Sequence, residues 1–173
     1  MKRLIYIVLI VVSAINLKAQ SPSSVKGGVY FGVVSLGYEM PIQSNSSLQL
    51  NLSRIDLVLL DWGVTSNSAS LEYRKYRSEV QAVTKSLYYW MISTRFADGQ
   101  EWDYEYDGLY DVDYLRFAIR GGFGEKYILS NGLTLDCNLI FSLPALKYDQ
   151  GTKYTQLTSP MIVPTLRIGY SPK

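Results

Sequence analysis

Residues 46–53, SSLQLNLS, alternate without a slip: Leu48, Leu50 and Leu52 fall on one side, Gln49, Asn51 and Ser53 on the other. Strand side chains alternate with a period of two, so this is a ribbon with one apolar and one polar face. The alternation recurs along the chain. It predicts strands over 29–40 (Val34, Leu36, Tyr38 and Met40 opposite Ser35, Gly37 and Glu39), over 48–57, and over 68–77 (Ala69, Leu71 and Tyr73 opposite Ser70, Glu72 and Arg74). In 86–96 both faces are apolar for several residues, which leaves the parity open. Leu115, Phe117 and Ile119 then alternate with Arg116, Ala118 and Arg120 in 114–124. After Asn131-Gly132, a tight-hairpin signal, 133–142 sets Leu133, Leu135, Cys137, Leu139 and Phe141 against Thr134, Asp136, Asn138 and Ser142. The last strand, 163–170, sets Leu166, Ile168 and Tyr170 against Thr165, Arg167 and Gly169. No window after residue 20 has the 3.6-residue period of an amphipathic helix, so the fold class is all-β.

Which face looks inward decides the rest. In a soluble barrel the leucines pack a core, whereas in an outer-membrane barrel they meet lipid and the amides line the interior. The first residues bear on this. Lys2 and Arg3 precede the apolar run LIYIVLIVVSAI (4–15), which is short for a membrane span, and Leu17 and Ala19 are acceptable to a signal peptidase. Residues 1–19 read as a secretion signal and 20–173 as one domain. Connections alternate between short polar turns and longer links at 57–67, 97–113 and 147–160, the asymmetry of an outer-membrane barrel with its short turns in the periplasm. A closed antiparallel barrel needs an even strand count, and residues 22–30, bending near Gly27, Gly28 and Gly32, supply the eighth strand.

Composition excludes more than it proposes. Cys137 is the one cysteine, which rules out an internal disulfide framework and, so far from the signal, a lipoprotein anchor. On the apolar face it reads as a neutral thiol rather than a nucleophile. The chain has no histidine, so Ser–His and Cys–His nucleophile pairs and histidine acid–base or metal chemistry are absent. Net charge is +2, with Lys2, Arg3 and Lys18 inside the signal, and nothing favours nucleic acid as a partner.

The polar faces carry Glu39, Glu72, Arg74, Arg116, Arg120, Asp136 and Arg167, of mixed sign, a set that pairs across a lumen. The opposite faces are apolar, with Tyr38, Tyr73, Tyr114, Tyr127 and Tyr170 toward strand ends, where an interfacial aromatic belt belongs. Lipid outside is the preferred answer. The alternative is a secreted or periplasmic lipocalin-like barrel binding an apolar ligand, which needs the leucines turned inward.

Four stretches in order, VSLGYEMPIQSNSSLQL (34–50), SLEYRKYRS (70–78) leading to LYYWMISTRF (87–96), ILSNGLTLD (128–136) and PTLRIGY (164–170), resemble the small Bacteroidetes-type outer-membrane β-barrel proteins of unknown function. The resemblance implies an eight-stranded, up-and-down transmembrane barrel, insertion by the barrel-assembly machinery, outer-membrane lipid as surroundings, and no enzymatic activity or cofactor. Members usually finish on an aromatic residue soon after IGY, and here Ser171, Pro172 and Lys173 follow Tyr170.

The sharpest local feature is DGQEWDYEYDGLYDVD (98–113), with seven of the chain's fifteen acids and no base. Asp103, Glu105, Asp107 and Asp111 mimic the opening of a calcium loop, but Tyr114 stands where its closing glutamate belongs. Alternation of Trp102, Tyr104 and Tyr106 with the acids, and a turn at Asp107-Gly108, fit an acidic hairpin projecting from the cell toward an unidentified partner. Tyr88, Tyr89 and Trp90 could stack on a sugar, but anchorage at a lipid interface is the commoner use of such a run.

Overall fold

A computed structural model describes residues 23–30, 33–59, 62–77, 85–105, 108–151, 153 and 155–171; the expected secretion signal, 1–19, lies outside them. Ten strands follow one another: β1 (Ser24–Tyr30), β2 (Val33–Gln43), β3 (Ser46–Leu59), β4 (Trp62–Tyr76), β5 (Lys85–Glu105), β6 (Gly108–Ile128), β7 (Leu133–Ser142), β8 (Leu146–Asp149), β9 (Thr155–Leu157) and β10 (Met161–Tyr170). Each of β1 to β6 pairs antiparallel with its successor, β7 pairs with β10, and β10 pairs with β1. The ring closes on eight strands, and the all-β up-and-down barrel is the observed fold. Strands β8 and β9 stand outside the count. β7 ends early, and β8 takes its place beside β6 at 114–117, with β9 folded against it.

The registers replace several expectations. The first predicted strand, 29–40, is divided between β1 and β2. The links expected at 57–67 and 97–113 are largely strand: β3 and β4 pair as far as Leu59–Trp62, and β5 and β6 as far as Glu105–Gly108. From Phe96 to Glu105 the hairpin continues for ~30 Å along the strand. The Asn131-Gly132 hairpin does form, with Gly132 at φ 87° and its N–H donating to the carbonyl of Leu129 at 3.0 Å. This is a turn closed by a left-handed glycine, not the two-residue form that Asn-Gly most often marks.

Register also fixes the faces. Leu36, Leu52, Ala69, Phe96 and Phe117 form one row around the outside, and Tyr38, Leu50, Leu71, Thr94 and Ile119 the next. Their inward neighbours are Gly37, Asn51, Ser70 and Arg95. The leucines of SSLQLNLS therefore face out, and Gln49 and Asn51 are buried. On β5 the undecided parity resolves: Leu87, Tyr89, Met91 and Ser93 are buried inside, while Tyr88, Trp90, Ile92 and Phe96 are exposed.

Candidate functional site in the barrel interior

The barrel has its polarity inverted. Ile168, Val34 and Leu36 are 60%, 58% and 58% exposed, while Lys26, Glu72, Arg74 and Asp136 are 0% exposed. In a water-soluble domain large apolar side chains gather inside and unpaired charges outside. A contiguous apolar belt around a charged interior is the arrangement of a membrane barrel.

At the end where β2 turns into β3, the interior is filled by one ion-pair network. Asp136, on β7, accepts from Lys26 Nζ at 2.5 Å, from Arg74 Nη1, and from the Tyr89 hydroxyl at 2.5 Å. Arg74 also donates from Nε to Glu72 at 2.5 Å, and its guanidinium lies 4.4 Å from the centre of the Tyr89 ring. Glu39 accepts from Lys126 Nζ at 2.8 Å, Ser47 Oγ at 2.6 Å and Ser24 Oγ at 3.2 Å, and from the Tyr76 hydroxyl. Lys26 lies 2.6 Å from Glu39, and Arg167 Nη1 lies 3.7 Å from Glu72. Four cations thus meet three carboxylates across the lumen, drawn from β1, β2, β4, β6, β7 and β10.

Bulky side chains fit there because their neighbours are small. A Cβ on Gly124 would stand 2.7 Å from the Tyr89 hydroxyl, and one on Gly37 would stand 2.6 Å from Asn51 Oδ1. Tyr76, Leu87, Tyr89, Met91 and Ile140 pack into a small apolar cluster beside the ion pairs. Together they close this end of the barrel.

Toward the long hairpins the interior opens into a cavity of about 620 Å³. Arg95, Arg116, Arg120 and Arg167 line it, with Lys147 and Glu101, which are ion-paired to each other. Residues 156–159, after the turn from β8, complete the wall.

Of the polar residues singled out in the sequence, Glu39, Glu72, Arg74, Asp136 and Arg167 come together in the network. Arg116 and Arg120 stand apart from it, on the cavity wall. Lys26, Lys126, Tyr76, Tyr89 and Arg95 were missed. A parity for β5 would have found Tyr89 and Arg95; Lys26 and Lys126 sit beside glycine-rich runs that blur alternation.

Tyr38, Tyr127 and Tyr170 are exposed on the outer face, and Tyr73 makes an edge contact with Trp90 at 5.9 Å. Tyr114 corrects the belt expected from the sequence. It shares the parity of Arg116 and Ala118, is buried inside, and lies with its ring 4.9 Å from Lys147 Nζ. The run 88–90 divides, Tyr88 and Trp90 outward and Tyr89 into the network.

The side chains of Asp103, Glu105 and Asp111 lie outside what is described, as does Asp107 altogether. The backbone is an extended ladder, Asp103 opposite Tyr110 and Asp111 opposite Trp102, where calcium coordination uses a wound loop. Among the described residues no group of three or more His, Cys, Asp or Glu could hold a metal. Cys137 is half-buried on the outward side of β7.

No protein-family model matches the chain, and no curated protein matches it. A solved structure, a major outer membrane protein from Thermus thermophilus, is similar over 87% of this chain and 98% of that one, at 13% identity and a TM-score of 0.48. A likeness so distant leaves the reading of the interior to its geometry.

Proposed function

We propose that this chain is a non-enzymatic, non-conducting barrel of a bacterial outer membrane, with its short-turn end in the periplasm and the β5–β6 hairpin presented outside for envelope structure or surface contact. One observation carries the reading: the inversion that leaves Val34, Leu36, Leu52 and Ile168 exposed around a lumen holding Lys26, Arg74, Glu72 and Asp136. The lipocalin-like alternative needs Leu48, Leu50 and Leu52 inside, and they face out. In the half of the lumen nearest the β2–β3 turn the carboxylates and cations are engaged with one another, which supports a filling role there, and eight strands leave little room for a water column past such side chains. The reading includes the resemblance to the Bacteroidetes-type barrels, a secretion signal in 1–19 and insertion by the barrel-assembly machinery as parts of the same proposal.

The test is vectorial labelling in a Cys137→Ser background. Gln100→Cys, on the projecting hairpin, should react with a membrane-impermeant maleimide on intact cells, and Ser130→Cys, at a short turn, only after the outer membrane is opened. Unboiled protein should migrate differently from boiled protein on an SDS gel. Equal labelling of both positions, or a soluble periplasmic protein without a gel shift, refutes the assignment.

A further inference from the structure

We propose that the edge of β6 above the membrane, Gly108–Val112, takes an added strand: an extended segment of another protein, rich in lysine and arginine. This deepens the surface-contact role proposed above and rests on it, since the edge must face outside the cell. Strands β3, β4, β5 and β6 outrun the rest of the wall. β1 and β2 pair up to Tyr30–Val33, whereas β3 and β4 continue to Leu59–Trp62 and β5 and β6 to Glu105–Gly108. What rises beyond the ring is an open sheet, and an open sheet has edges. On the side of β6 away from β5, the ladder stops at Tyr114, which pairs with Asp149 of β8. One more bond follows, Gln150 N–H donating to the carbonyl of Asp113 at 2.9 Å. β8 and β9 pair up to Tyr148–Thr155, so their hairpin turns back at this level. Among the described residues, Gly108–Val112 therefore has β5 as its one neighbour, along ~17 Å of strand.

Register tells which backbone groups this edge offers. In an antiparallel strand the N–H and C=O of one residue point to the same side, and the side alternates along the chain. Asp113 turns its carbonyl away from β5, toward Gln150, so the backbone groups of Asp111 and Leu109 turn the same way. An incoming strand finds an N–H and a C=O at each of these two residues, which is what strand addition requires. Proteins commonly blunt such edges with proline, lysine or a bulge. Gly108–Val112 has neither proline nor lysine, and the register of β6 with β5 runs without a shift from Ile128 to Gly108. What the hairpin has instead is negative charge. Residues 98–113 carry seven acids and no base; the neighbouring β8–β9 hairpin adds Lys147, paired with Glu101, and Lys153. Two copies of such an edge repel each other, because like charges on paired strands are destabilising. A basic segment meets no such barrier and is drawn in by the same field. The acids close the edge to a second copy and leave it open to the opposite charge.

The test uses isotope-labelled mature barrel in phosphatidylcholine nanodiscs, with the gel shift confirming closure. It is titrated separately with a peptide of alternating lysine and threonine, the same peptide N-methylated along its backbone, and one with glutamate in place of lysine. The lysine peptide should bind saturably, slow hydrogen exchange at the Leu109 and Asp111 amides, and weaken as salt rises. The N-methylated peptide keeps the charge but has no N–H to donate, and should bind about tenfold more weakly or worse. The glutamate peptide should not bind. Leu109→Pro removes one edge N–H, keeps every acid and spares the ladder to β5, so it should weaken the lysine peptide about tenfold. Asp103→Asn with Glu105→Gln leaves the edge intact and should make the salt dependence shallower. The proposal fails if the N-methylated peptide binds as tightly as its parent, if the glutamate peptide binds too, if Leu109→Pro changes nothing, or if the same amides become protected in a dimer of the barrel alone. Labelling of Gln100→Cys on intact cells is read separately. A barrel labelled from outside that binds no peptide overturns this proposal alone, and one that is not labelled overturns the assignment beneath it.

Discussion

Asp136→Ala should be the most damaging single truncation in the lumen. The carboxylate is fully buried and holds Lys26, Arg74 and the Tyr89 hydroxyl. Removing it leaves the network with four cations against two carboxylates, and Lys26 and Arg74, its direct partners, are fully buried. Stripping one partner from a buried pair costs about 3–5 kcal/mol, because the charge left behind keeps its desolvation penalty. At 1.36 kcal/mol per decade, this is a fall of roughly two to three and a half powers of ten in the folding equilibrium. With a urea slope of ~2 kcal/mol per M, the unfolding midpoint drops by about 2 M. The assay is reversible urea unfolding in detergent or lipid, read as the fraction with folded gel mobility. Lys26→Met combined with Asp136→Leu is the control. Replacing both ends of a buried pair by apolar groups of similar size is often neutral, so the double variant should be more stable than Asp136→Ala. A shift below ~0.5 kcal/mol for Asp136→Ala, the level of an ordinary surface change, would refute the buried network. A double variant worse than the single would refute the argument from uncompensated charge.

Two further outcomes follow from the wall. Leu71→Arg, in the middle of the outer apolar belt, should cost ~2–4 kcal/mol in a bilayer, and an effect near zero in the same unfolding assay would mean that this face meets water. In hydrogen exchange, the amides of 162, 163, 165 and 166 should open before those of the β3–β4 and β5–β6 ladders, since among the described residues their pairing is one-sided. Uniform protection around the ring would refute the one-sided pairing of that segment.

Alternation made the fold legible wherever lipid and lumen impose opposite demands on neighbouring residues. It failed where one demand lapsed. On β5, Leu87 and Met91 face an apolar pocket inside while Tyr88, Trp90 and Ile92 face out, so both parities look greasy. Above the belt the β5–β6 hairpin is so rich in acids that 97–113 also reads as a long link, although its aromatic–acid alternation marks a hairpin and the backbone ladder carries it on as strand to Glu105–Gly108. The network was partly legible: alternation could assign Glu72 and Asp136 to a polar face. Their partners could not be read locally, because Lys26 and Asp136 lie 110 residues apart and meet only when the ring closes.

The two halves of the lumen show that filling the barrel is not the only demand on its interior. In the closed half, long side chains such as Arg74, Tyr89, Gln49 and Lys26 reach inward, and glycines at 37 and 124 make room for them. In the open half the same inward positions, a few residues further along, become Ser35, Ser53, Ser66, Ala97 and Ala118. Packing alone does not require this change, since the same strands fill the other half to near exclusion of solvent. Small residues there hold space open around the arginines and the Lys147–Glu101 pair.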